Sequence, residues 1–192
     1  MPLSELLIRG NPVPIVRWGD PVLHHPCQPV TDFGPELWDL LCEMFATNTA
    51  AEGAGLAAPQ IGVDRAVFVY DCDDSFGRRR QGVVCNPTIL LGADRHDDVA
   101  FEGCLSYPGA AVELTRPDFA VCRGQDQFGE PVRVSGTGTL ARCLQHETDH
   151  VNGIVMAEHL TRQQRHQLRR EHRRAADRFP REWPANKPAG ER

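Results

Sequence analysis

The nine residues Gln145-His146-Glu147-Thr148-Asp149-His150-Val151-Asn152-Gly153 decide how this chain is read. They close a stretch, Gly138 to Val151, whose apolar residues recur at helical spacing, with Asn152-Gly153 as a stop signal. On such a helix His146 and His150 lie one turn apart, so both imidazoles reach a single ion. At about 100° per residue, Leu140, Cys143, Leu144, Glu147 and Val151 fall on the same side. The histidines therefore border the apolar face. A carboxylate beside such a pair, on a surface that excludes water, is the proton acceptor a metal-dependent hydrolase needs. Two ordinary helical histidines next to a surface glutamate are the plainer alternative.

Outward from that helix the pattern changes period. Pro35 opens a second helix carrying Leu37, Leu41, Met44 and Phe45, fading between Thr49 and Glu52. Strands are predicted at Ala66–Tyr70 and at Gly82–Leu91, the latter interrupted at Asn86-Pro87. Shorter ones follow around Val99–Phe101, Ala111–Leu114, Phe119–Arg123 and Pro131–Val134, separated by turn signals such as Arg116-Pro117-Asp118. A last helix is predicted from Thr161 to about Phe179. The fold expected is α+β: short, mostly antiparallel sheets packed around a central helix carrying HExxH, with an N-terminal helix and a C-terminal helix. Residues 1–179 form one catalytic domain that includes the basic helix 161–179, and 180–192 are expected to be a disordered tail.

Two histidines are too few for a catalytic metal, which usually has three protein ligands and an open position. The protease pattern that continues from HExxH to a third histidine fails here, because Met156 stands where that histidine would fall. A candidate lies upstream in Glu102-Gly103-Cys104-Leu105-Ser106-Tyr107-Pro108, where Cys104 sits in a turn-like setting between glycine and serine. Its alternative is a buried structural thiol. A third segment, Gly53-Ala54-Gly55-Leu56-Ala57-Ala58-Pro59-Gln60, is too short for a dinucleotide fingerprint and lacks the Lys-Ser/Thr of a phosphate loop. Small residues followed by Gln60 suggest a backbone that something approaches closely, plus one positioned amide. By itself the segment also reads as a helix C-cap and tight turn.

Together the three segments resemble the peptide deformylase family, whose hallmarks are GxGLAAxQ, EGCLS and QHExDHxxG. The fixed positions match in order across roughly residues 14 to 160. The resemblance implies that Cys104, His146 and His150 bind the metal and that Glu147 is the general acid/base. It implies that Gln60 and the backbone N–H of Leu105 stabilise the oxyanion. Gly53, Ala54 and Gly55 then pair with an extended peptide substrate, in effect adding a strand. The implied reaction is hydrolysis of the N-formyl group from the N-terminal formylmethionine of nascent polypeptides, releasing formate. The implied cofactor is one divalent ion, Fe²⁺ as the native metal, with Zn²⁺, Ni²⁺ or Co²⁺ as substitutes. Ala54 is smaller than the Ile or Val common at its position, which implies a wider methionine pocket or an altered rim. Arg142, one turn before His146, is placed near that pocket as a substrate-binding residue. Glu102 and Arg116 are candidates for an ion pair behind the ligands, with an ordinary strand-end salt bridge as the alternative. Asp149 is expected to support the fold and not to bind the ion.

Charge and composition set the surroundings. The net charge of −5 argues against binding of nucleic acid by the whole surface, and no DNA partner is expected. The seven cysteines are widely spaced and form no CxxC pair, which fits a reduced, cytoplasmic protein. No apolar run approaches the ~18–20 residues that span a bilayer, so no membrane partner is expected. Between Arg162 and Arg178, seven arginines face only Glu171 and Asp177, a local +5. A solvated face explains such a run; docking on ribosomal RNA, where formylated chains emerge, is the sharper expectation. Two rival readings remain. A zinc endopeptidase of the HExxH type would need Glu158 or Glu171 as third ligand. A non-catalytic RNA-binding homologue would be marked by loss of a ligand or of Glu147, and none is lost.

Overall fold

The computed structural model describes residues 1–91 and 96–185. The chain begins with a short helix α1 (Leu3–Leu6), then runs extended to helix α2 (Pro35–Ala50), which Pro35 opens at its first turn. Strands β1 (Gly55–Ala57), β2 (Val67–Asp73), β3 (Arg79–Leu90), β4 (Asp97–Gly103), β5 (Ala111–Pro117), β6 (Phe119–Gln125) and β7 (Pro131–Thr137) follow. Helices α3 (Gly138–Val151) and α4 (Arg162–Ala175) complete the fold. Five strands make an antiparallel sheet in the order β1-β2-β3-β6-β7, and β4 pairs with β5 in a separate hairpin. The expected α+β architecture is therefore present.

The sheet has two buried faces because β2 is apolar and buried from Val67 to Tyr70. Val67 and Val69 of β2 pack with Leu41, Met44 and Phe45 of α2. Phe68 and Tyr70, pointing the other way, pack with Leu140 and Leu144 of α3. A third cluster joins Val112 and Leu114 of β5 to Leu168 of α4, with Cys104 and Tyr107 between them. Helix α3 is thus walled by the sheet on one side and by the β4–β5 hairpin on the other. The predicted interruption at Asn86-Pro87 is a break in the β3–β6 register between Cys85 and Thr88, with Asn86 at φ 51°. Asn86 uses the kink to exchange two hydrogen bonds with the backbone of Val30.

Three sequence expectations need correction, and helix α1 was not anticipated. Helix α1 has too few residues to show a period. The stretch beginning at Gly55 is a strand and not a turn: β1 pairs with β2 in the register Gly55↔Tyr70, Leu56↔Val69, Ala57↔Phe68. Helix α4 stops at Ala175 and a 3₁₀ turn, Ala176–Arg178, redirects the chain. The reading of 180–192 as a loose tail fails in its first part, where Trp183 is buried in the α2 cluster and its carbonyl accepts from Ile15 N at 3.0 Å. Residues 186–192 lie outside the described residues. No helix among the described residues is long and apolar enough to cross a membrane.

Candidate metal centre

Helix α3 delivers His146 and His150 on one face, their ring centroids 4.9 Å apart. Cys104 arrives from the end of β4, where a turn returns the chain into β5, and its Sγ lies 3.2 Å from His150 Nε2. The ligand atoms of Cys104, His146 and His150 all lie within 4.8 Å of one another, and all three residues are buried. Among the described residues this is the single such grouping of three. Neither Glu158 nor Glu171 joins it: Glu158 accepts from Val155 N, and Glu171 is bonded to Ala111 N and Gln167. The third ligand required by the endopeptidase reading is engaged elsewhere.

The residues behind the histidines fix their orientation. His146 Nδ1 lies 2.7 Å from Glu102 Oε1, so a proton shared there leaves Nε2 with a free lone pair. Glu102 also accepts Arg116 through Nε and one terminal nitrogen, both at 2.8 Å, and Arg142 at 3.0 Å. Arg116 reaches on to Asp149 at 2.9 Å, and Asp149 to His159 at 2.8 Å. Burial alone would raise the Glu102 carboxyl, but the hydrogen bonds from Arg116 and His146 override it and hold it well below the usual range. The Glu102–Arg116 pair is therefore part of the site, contacting a histidine directly, and is not an isolated strand-end salt bridge.

The interior face carries the reactive groups. Burial pushes Glu147 up to about 7, and its Oε2 is buried with no hydrogen-bond partner. Burial, followed by the charge of His146, holds His150 well below its usual range, whereas for His146 burial is overridden by bonding to Cys104 and Glu102, which holds it above; His150 Nδ1 lacks a partner. The Gln60 amide has a fixed orientation, since Oε1 accepts from Ala57 N at 2.9 Å and Nε2 points to Cys104 Sγ at 3.7 Å. The N–H of Leu105 has no protein acceptor among the described residues. These donors border one cavity of about 590 Å³, lined also by Gly53, Ala54, Gly55, Arg142 and Cys143.

The glycines of the first motif have a steric cause. A Cβ on Gly55 would stand 2.7 Å from Cys143 Sγ and 2.9 Å from Glu147 Cγ, so only glycine lets β1 lie against α3. Because β1 is the outermost strand of its sheet, its other edge is open. Arg142 lines the cavity, but its guanidinium is already tied to Glu102, to Leu114 O at 2.9 Å and to Asp98 at 3.0 Å. Sequence reasoning missed Cys143 and Asp98 as members of this wall. Position 143 lies on the same helical face as His146 and Glu147, which was the available signal. Asp98 carried none.

The family model for polypeptide deformylase matches residues 12–166. Peptide deformylase 1 of Streptomyces avermitilis is 52% identical over 174 residues, covering 90% of this chain and 81% of that protein. The peptide deformylase of Acidothermus cellulolyticus is 47% identical over 152 residues, 79% and 81% of the two chains. Among solved structures, a peptide deformylase from Legionella pneumophila superposes with a TM-score of 0.76 at 37% identity, covering 88% of this chain and 99% of that one. One from Synechococcus elongatus, in complex with actinonin, gives 0.76 at 32% identity, covering 90% and 91%. With the HExxH helix, the EGCLS turn and the Gln60 loop lining one cavity, the chain belongs to the polypeptide deformylase family.

Proposed function

We propose that this enzyme, which removes the N-formyl group from nascent peptides, holds its divalent ion with Cys104, His146 and His150. The observation that carries the reading is the convergence of one sulfur and two imidazoles beside a buried, unpartnered Glu147 carboxylate. The donor set fits such an ion: the three ligand atoms lie within 4.8 Å of one another, and His146 is oriented by Glu102. One thiolate and two imidazoles suit iron, zinc, nickel or cobalt, and Fe²⁺ is the reading taken for the native metal. When bound, the ion supplies Lewis acidity that activates water and polarises the formyl oxygen.

The chain's own residues do the rest. The free edge of β1 at Gly55, with Gly53 and Ala54 leading into it, pairs with the formylmethionyl peptide as an added strand. Gln60 Nε2 and the Leu105 N–H, both on the cavity wall, donate to the negative charge that develops on the formyl oxygen. Glu147 takes the proton from the attacking water and passes it to the amine that leaves; a carboxylate near neutrality is suited to both. Arg142 acts here through Glu102 and the cavity wall, its guanidinium being engaged. The free cysteines fit a reducing cytoplasm, where nascent chains are made.

Formate release from formyl-Met-Ala-Ser after anaerobic Fe²⁺ loading tests the assignment. Glu147→Ala is expected to lose about 10²–10⁴-fold in kcat while retaining metal. Undiminished turnover in that variant rules out the role given to Glu147.

A second reading, docking of α4 on ribosomal RNA, is favoured by one observation. Arg162, Arg165, His166 and Arg169 line a surface hollow of about 350 Å³, and the arginines are exposed. Such a surface fits phosphate groups.

A further inference from the structure

The cavity extends past the residues that the family model matches. Phe179 and Trp183, C-terminal to residue 166, line it together with Gly53, Leu105 and His146. Several contacts hold them there. Arg17 donates to the carbonyls of Phe179 at 2.9 Å and Pro180 at 3.0 Å, and its guanidinium lies 5.8 Å from the Trp183 ring centroid. Ile15 N donates to Trp183 O, and the rings of Phe179 and Trp183 meet edge to face at 5.0 Å. Gly109, at φ +75°, completes the seat: a Cβ there would stand 2.7 Å from Phe179 Cε2. The segment is thus latched to the N-terminal stretch and the EGCLS turn, which makes it a fixed part of the cleft wall.

Its position selects one part of a substrate. Leu105, Phe179 and Trp183 belong to the apolar cluster on the α2 side of the sheet, whereas Cys143 belongs to the cluster on the α3 side. A peptide paired along Gly53–Gly55 is extended, so successive side chains point to opposite sides. If the methionine side chain enters toward Cys143 and Arg142, the next side chain faces Leu105 and the aromatic pair. We infer that Phe179, with Trp183 behind it and Leu105 beside it, forms an apolar subsite for the residue that follows the formylmethionine. The chain then favours a bulky apolar residue there over a small one. This rests on the deformylase reading above.

The test is formate release by the full-length, Fe²⁺-loaded enzyme from formyl-Met-X-Ser peptides with X as Gly, Ala, Leu or Phe. Wild type is expected to show kcat/KM at least about tenfold higher for Leu and Phe than for Gly, mainly through KM. Phe179→Ala should reduce that ratio about tenfold, and Phe179→Leu should keep most of it. The preference of wild type decides the matter even if Phe179→Ala does not fold. Rates indifferent to X in wild type, or a ratio unchanged in a folded Phe179→Ala, overturn this inference alone. Absence of formate from every peptide overturns the deformylase reading and this inference with it.

Discussion

Helices α3 and α4 each contain 14 residues, and they live in opposite surroundings. In α3 the polar residues Gln145, His146, Glu147, Thr148 and His150 are buried along with the apolar ones. In α4 Leu168 and Ala175 are the buried residues, and the arginines face solvent. Burying an ion costs several kcal/mol unless it is paired, so charges around α3 have to answer one another. That is what the chain His146–Glu102–Arg116–Asp149 does, with Arg142 as a further donor to Glu102. The arginines of α4 stay hydrated and carry no such requirement. Similar residue types are therefore structural necessities on one helix and adjustable surface on the other.

Arg116→Leu strands the buried Glu102 carboxylate and is expected to cost about 3–5 kcal/mol of stability in urea unfolding. A loss below about 1 kcal/mol would mean that the network behind α3 behaves like a surface salt bridge. Gln60→Leu, across the cavity from α3, should remove about 3–4 kcal/mol of transition-state stabilisation, read in kcat, with little change in metal content. Glu102→Gln keeps the shape of the side chain but not its charge, and metal affinity by competition with a chelator should fall about 10–100-fold. On α4 the expected stability effects are small: Arg162→Gln, Arg165→Gln and Arg169→Gln, which line its hollow, should each shift stability by no more than about 1 kcal/mol. If the RNA reading holds, the triple variant co-sediments with ribosomes less well, with a salt slope shallower by roughly three. An unchanged slope would leave α4 a solvated face.

What was legible in the sequence follows from the same contrast. The span of α3 and the convergence of His146, Glu147 and Cys104 could be read because each motif demands unusual residues at fixed offsets. The positions of most strands could be read from alternation, although their ends ran on by a residue or more, where hairpin partners extend the ladder. Strand β1 was hidden because Gly55-Leu56-Ala57 carries no period; its conformation is imposed by pairing with Tyr70, Val69 and Phe68. The engagement of Arg142 with Asp98 and Glu102 was equally hidden, since it joins residues 44 and 40 positions apart. Trp183 sat in a proline-bearing stretch that reads as a tail, and the pocket that receives it is assembled from α2 and residues near Ile15. Long-range docking of that kind leaves no local pattern.

Catalysis by this chain depends on a sulfur from the β4–β5 turn and two imidazoles from α3 sharing one ion. X-ray absorption at the zinc edge of zinc-loaded protein reads that directly. The expected spectrum has one sulfur at about 2.3 Å and nitrogen scatterers at about 2.0 Å, with the sulfur shell lost in Cys104→Ala. Zinc bound through nitrogen and oxygen alone, with a spectrum that Cys104→Ala leaves unchanged, would contradict the account.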